Sequence, residues 1–166
     1  MSVFDVYGPF EVPHVIYRKR RRVDTTSLRS FWLGTEGLGN QRGCYVYAFR
    51  SGAGYKPFYV GRATVNFRQE CFTPHKLGHY NDALHGRPKA RPWMFFVVLR
   101  SRRGKPNLTD IALAENFLIQ AGLTRNQWLS NIKGTKQAGW SIQGVLRSKT
   151  GKPSSSAIDF RHLMGI

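Results

Sequence analysis

Acidic residues are scarce in this chain: nine Asp and Glu stand against 26 Lys and Arg in 166 residues, a formal net charge of +17. A surface of that kind repels itself unless it meets an anion. Nucleic acid is the commonest such partner, ahead of an anionic membrane. Cysteine is scarcer still: Cys44 and Cys71 are the two in the chain, too few for a disulfide framework or a cysteine-rich zinc site. Both lie among apolar residues and read as buried thiols in a reducing compartment. Long apolar runs are missing as well. The longest, Met94 to Leu99, is strand-sized, far short of the ~20 residues that span a bilayer. The opening segment, MSVFDVYGPFEVPHV, carries acids and prolines where a signal peptide has a basic start and an apolar stretch. The expectation is a soluble, cytoplasmic protein, nucleoid-associated if bacterial.

What is present argues for a folded domain. Hydrophobic residues make up 41% and aromatics 13% of the chain, too much for an unfolded basic tail and enough for the core of one domain. Residues 1–42 read as a basic N-terminal extension, punctuated by Gly and Pro, with the run Arg18-Lys19-Arg20-Arg21-Arg22 in its middle. That run fits a phosphate-contacting strand or a solvated face better than a targeting signal. Cys44 to Phe49, a turn at Ser51-Gly52-Ala53-Gly54, and Pro57 to Val60 predict a hairpin, with Tyr45, Tyr47 and Phe49 on one face. Residues 65–85 read as helix broken near Thr73-Pro74, and Trp93 to Leu99 as a central strand. Asn107 or Thr109 caps a helix that runs to Ala121, with a short helix expected around Thr124–Leu129. Residues 132–166 form a C-terminal extension packed on the core, with a strand candidate from Trp140 to Leu146 and a final helix near Ala157–Leu163. The predicted class is α+β: a small three-stranded antiparallel sheet flanked by helices.

Few residues are available for acid–base or metal chemistry. Glu115 lies mid-helix on the apolar stripe Ile111, Glu115, Leu118. It is either an edge glutamate that reaches solvent or a single ligand for Mg²⁺, which takes one or two carboxylates and fills its shell with water and phosphate oxygens. Tyr45 and Tyr59 stand on adjacent strands, each near a glycine. They are either a packed cross-strand pair or proton-transfer groups whose pKa is lowered by Arg62 and Arg68. His75 and His79 either contact a phosphate or cap a helix. Glu70 either pairs with Arg68 or supports another site residue. His14, His85 and His162 show no pairing pattern.

Gly43-Cys44-Tyr45, thirteen intervening residues, and Tyr59-Val60-Gly61 resemble the motif pair of the GIY-YIG nuclease superfamily, with a slightly long spacer. Arg62 stands where the family often has Lys or Arg, and Phe67-Arg68 resembles the start of its next helix. Glu115 matches the family's metal-binding glutamate, and Asn131, with Asn126 as competing match, resembles the asparagine that follows. The resemblance covers residues 43–131, a GIY-YIG-like nuclease core, and the chain looks like a small stand-alone bacterial-type member. It departs from the family at Glu70, where an arginine is common, and at Phe72, where some members carry a histidine.

The resemblance implies metal-dependent hydrolysis of phosphodiester bonds, with DNA favoured over RNA. Tyr45 is then the general base, Tyr59 binds the water or the phosphate and exchanges roles with Tyr45, and Arg62 and Arg68 stabilise charge at phosphorus. Glu115 binds one Mg²⁺ or Mn²⁺, and Asn131 orients a water or phosphate. Arg18, Lys19, Arg20, Arg21, Arg22, Arg102, Arg103 and Lys105 would track the nucleic-acid backbone. Two rivals compete. A non-catalytic DNA- or RNA-binding domain needs the charge but not Tyr45, Tyr59, Arg68 and Glu115 together. A membrane-surface protein needs a basic amphipathic helix, and residues 108–121 contain no Lys or Arg.

Overall fold

The computed structural model describes residues 2–18, 20–51, 54–85, 87, 89–100, 106–131 and 152–164. The elements are β1 (Phe4–Glu11), β2 (His14–Tyr17), β3 (Arg20–Val23), α1 (Leu28–Leu33), a 3₁₀ turn at Leu38–Asn40, β4 (Gly43–Ser51), β5 (Gly54–Ala63), α2 (Phe67–Glu70), α3 (Pro74–Leu84), β6 (Arg91–Leu99), α4 (Leu108–Arg125) and α5 (Ser155–Met164). The chain divides into two compact units, Met1–Gly134 and Thr135–Ile166. Within the second, α5 opens with Ser154 Oγ accepting from the Ala157 amide at 3.2 Å. The strand expected from Trp140 to Leu146 lies outside the described residues, and so do Lys19, Arg102, Arg103 and Lys105.

The class is α+β, with one correction: the main sheet has four strands in the order β1-β6-β4-β5, all neighbours antiparallel. The added strand comes from the segment read as an extension. β1 pairs with β6 from Phe4↔Leu99 to Glu11↔Trp93, with an irregularity between Tyr7 and Phe10. Asp5 fastens that edge through a two-pronged bond with Arg100, at 2.5 and 2.9 Å, and the guanidinium lowers the Asp5 carboxyl pKa. β2 and β3 form a separate hairpin, so the basic run becomes a turn and a strand.

Alternation along β4 divides the core. Tyr45, Tyr47 and Phe49 point to one face as predicted, and pack with Trp32, Phe67, Tyr80, Leu84, Met94 and Phe96. Cys44 and Val46 point to the other, where Ile111, Leu118 and Ile119 of α4 meet them. Thus α3 covers one face of the sheet and α4 the other. Pro74 occupies the first turn of α3, where its missing N–H costs nothing. Asn107 caps α4, its side chain accepting from Thr109 N at 3.1 Å and Asp110 N at 3.2 Å. α4 continues to Arg125 and is followed by a turn, which replaces the short helix expected over Thr124–Leu129. There the Asn126 side chain accepts from Trp128 N at 3.1 Å and donates to Pro57 O at 2.8 Å, satisfying the backbone without a helix. Both cysteines are buried and free, and burial pushes the Cys44 thiol up to about 12. Among the described residues no helix is long and apolar enough to cross a membrane.

Candidate active site

β5 ends the sheet order, so one side of its backbone needs a partner other than a strand. The segment after α4 supplies it. The Ser130 amide donates to Phe58 O at 2.7 Å. The Asn131 side chain accepts from Val60 N at 2.9 Å and donates to Val60 O at 2.6 Å. The Asn131 amide therefore does for Val60 what a neighbouring strand would do, and Asn126 reaches Pro57 in the same way. Neither asparagine is an idle polar group: both hold β5 to the end of α4.

Beside this edge lies a cleft of about 270 Å³ lined by Tyr59, Arg62, His75, His79, Glu115, Asn116, Ile119 and Asn131. Six of the residues singled out from sequence meet here, drawn from β5, α3, α4 and the segment that follows it. Arg62 and Glu115 form an ion pair at 3.4 Å, with side chains 45% and 19% exposed. Burial raises the Glu115 carboxyl pKa, opposed by Arg62 and then Lys76. Tyr59 stacks against His79, ring centroids 5.4 Å apart and 24° between planes. Burial also raises its phenol pKa, with the Glu115 carboxylate adding to the effect. His79 Nδ1 lies 2.8 Å from Ser130 Oγ, and His79 Nε2 lies 3.3 Å from His75 Nε2. Burial and the neighbouring His75 lower the His79 pKa, against a smaller opposing effect of Asp82.

Two expected members stand elsewhere. Tyr45 sits one strand inward, opposite Gly61 in the ladder, and is fully buried. Its ring lies across Gly61, where any β-carbon would collide with the phenol, so the glycine of this motif makes room for the tyrosine of the other. The Tyr45 hydroxyl has no hydrogen-bond partner among the described residues. Tyr80 lies beside it but donates to Cys71 O at 2.9 Å. The expectation that arginines would acidify this phenol is overturned: burial pushes its pKa far upward, and Tyr80, Cys71 and Tyr59 add to the rise. Arg68 is exposed and packs over Gly39, its Nε 3.2 Å from where a β-carbon there would lie. It does not line the cleft, because α2 turns that side chain toward the 3₁₀ turn. The Glu70 carboxylate does not pair with Arg68. Its Oε1 accepts from the amides of Thr64 and Val65, each at 2.6 Å, and fixes the turn between β5 and α2.

Sequence reasoning missed Lys76 and Asn116. Lys76 Nζ lies 5.1 Å from the centre of the Tyr45 ring and donates to Glu70 O. Burial lowers its pKa while Cys71, Glu70 and Glu115 oppose the shift. The signal for Lys76 was its place beside His75 at the start of a helix; Asn116 had none beyond adjacency to Glu115. For a hard divalent ion the donors fit: the Glu115 carboxylate and the neighbouring Asn116 amide line one wall, and water and phosphate complete such a shell. Among the described residues no three His, Cys, Asp or Glu side chains gather as a closed metal cage.

A second, basic cleft of about 520 Å³ lies between the β2–β3 hairpin and α3, lined by Tyr17, Arg18, Arg20, Arg21, Arg22, Asn81, Asp82 and His85. Arg22 and Arg18 stand over the Tyr17 ring at 4.4 and 5.2 Å. Arg21 turns inward to His14 Nε2 at 3.0 Å and Ala90 O at 3.3 Å. No protein-family model, no curated protein and no solved structure matches the chain.

Proposed function

We propose that the chain is a metal-dependent endonuclease that hydrolyses phosphodiester bonds in nucleic acid, DNA above RNA, on a GIY-YIG-like scaffold. The observation that supports this reading is the meeting of Tyr59, Arg62, Glu115 and Asn131 in one cleft beside the edge strand β5. There the Glu115 carboxylate stands beside the Arg62 guanidinium, and the Tyr59 phenol lines the same cleft.

In this reading Arg62, held by Glu115, presents its outer nitrogens to the non-bridging phosphate oxygens and stabilises the charge that builds at phosphorus. Tyr59 takes the proton of the attacking water. Tyr45, which solvent does not reach, supports the hairpin and exchanges no role with Tyr59. Asn131 is a positioning residue: its two bonds to Val60 hold β5 where Tyr59 and Arg62 face the cleft. Glu115, with Asn116 beside it, would hold Mg²⁺ or Mn²⁺, which supplies charge neutralisation at the phosphate and the leaving oxygen. Arg18, Arg20 and Arg22 of the hairpin position the backbone without reading sequence.

A non-catalytic nucleic-acid-binding domain is the second reading, favoured by the basic hairpin cleft alone. Incubating the purified chain with labelled duplex, single-stranded and branched DNA and with RNA, with and without Mg²⁺ or Mn²⁺, separates the two. The nuclease reading expects ion-dependent cleavage of DNA. Tight, salt-sensitive binding with no cleavage in either ion would leave the binding domain.

A further inference from the structure

His75 and His79 occupy successive turns of α3, so their side chains share one face of the helix. Their Nε2 atoms are 3.3 Å apart, and the rings meet edge to face, with centroids 4.7 Å apart and planes at 87°. Two imidazole nitrogens that ligate one tetrahedral zinc ion at ~2.0–2.1 Å stand about 3.4 Å from each other. The observed separation, a hydrogen-bond distance between the two rings, is also that of two ligands of one ion.

The second ring is held as a ligand is held. His79 Nδ1 is bonded to Ser130 Oγ at 2.8 Å, and Tyr59 stacks on its plane. In the tautomer whose Nδ1–H donates to the serine, Nε2 carries the lone pair, the arrangement that an outer hydrogen bond selects in metal-bound histidines. His75 is exposed at the rim, which gives an ion a path from solvent.

We propose that His75 and His79 form a two-imidazole site for a borderline transition-metal ion, Zn²⁺ above all, on the α3 wall of the cleft. Imidazole favours such ions, whereas carboxylate and water favour Mg²⁺, so the site differs in chemistry from the oxygen donors at Glu115. No third His, Cys, Asp or Glu completes a cage among the described residues. The ion therefore keeps coordination positions for water or for a phosphate oxygen in the cleft. The site stands on its own geometry and not on the nuclease reading, so its test needs no nucleic acid.

The probe is Zn²⁺ added to the chelator-stripped full chain, followed by histidine ring resonances and by calorimetry. One saturable equivalent is expected, shifting the His75 and His79 ring signals, while Mg²⁺ at the same concentration leaves both unshifted. His75→Gln and His79→Gln should each weaken that binding at least tenfold. Zn²⁺ that fails to saturate, that shifts other histidines instead, or that binds both histidine variants as tightly as the parent overturns the site and leaves an imidazole–imidazole hydrogen bond. The resonance experiment on the unaltered chain stands even if a variant folds poorly.

Discussion

Tyr45 and Tyr59 belong to one hairpin and stack as neighbours, ring centroids 6.4 Å apart, yet they live in different surroundings. β4 lies between β5 and β6, whereas β5 is an edge. The inner tyrosine is fully buried under α3 and across Gly61, its hydroxyl beside Tyr80 and with no hydrogen-bond partner within ordinary geometry among the described residues. The outer one reaches a cleft that also holds Arg62 and Glu115. Strand order, which neither tyrosine's local sequence encodes, decides which phenol is enclosed in the core and which lines the cleft.

The largest effect should come from the outer region. Glu115→Ala removes the carboxylate that pairs with Arg62 and that, in the proposed nuclease, holds the ion; single-turnover cleavage should fall on the order of 10⁴-fold, a loss of several kcal/mol of charge stabilisation. Filter binding in the same buffer should change little, and a variant that cleaves normally would move the metal site elsewhere. The inner region should respond in stability. Gly61→Ala drives a β-carbon into the Tyr45 phenol, and such overpacking costs about 1–3 kcal/mol, read as a lower urea midpoint. If the midpoint is unchanged, the ring does not lie across Gly61. The smallest effect belongs to the hairpin. Arg20→Gln and Arg22→Gln should each reduce the slope of log affinity against log salt by about one, leaving the cleavage rate at saturating protein unchanged. An unaltered slope would take the hairpin out of the interface.

The same contrast explains how much was legible in the sequence. Strands β4, β5 and β6 and helices α3 and α4 follow from period, turn residues and caps, all local signals. The ordered motifs also brought Tyr59, Arg62, Glu115 and Asn131 to one cleft. β1 was not legible because Gly8-Pro9 interrupts its pattern and its partner lies some ninety residues away at β6. The burial of Tyr45 was hidden for a related reason: alternation gives the face a side chain takes, and pairing alone says which strand is inside. Arg68 was placed by motif position, but the short α2 turns it toward Gly39. Glu70, in the place where the family often has an arginine, satisfies the Thr64 and Val65 amides, a backbone need that a list of charged residues does not reveal.

The most direct test compares Tyr59→Phe with Tyr45→Phe in single-turnover DNA cleavage with Mg²⁺ across pH. Because burial and Glu115 raise the Tyr59 phenol pKa, the reactive phenolate stays a minor species through neutral pH. The rate of the unaltered chain should climb about tenfold per pH unit up to pH ~10, with no earlier plateau. It should fall further as acid protonates the Glu115 carboxyl, at a higher pH than for an unburied glutamate because burial raises its pKa. Tyr59→Phe should lose about 10³-fold and its alkaline climb. Tyr45→Phe should keep both the rate, within about threefold, and the climb, because the hydroxyl it loses is buried and unpartnered. Equal losses in the two variants, or a collapse in Tyr45→Phe alone, would contradict the assignment of the chemistry to the edge of β5.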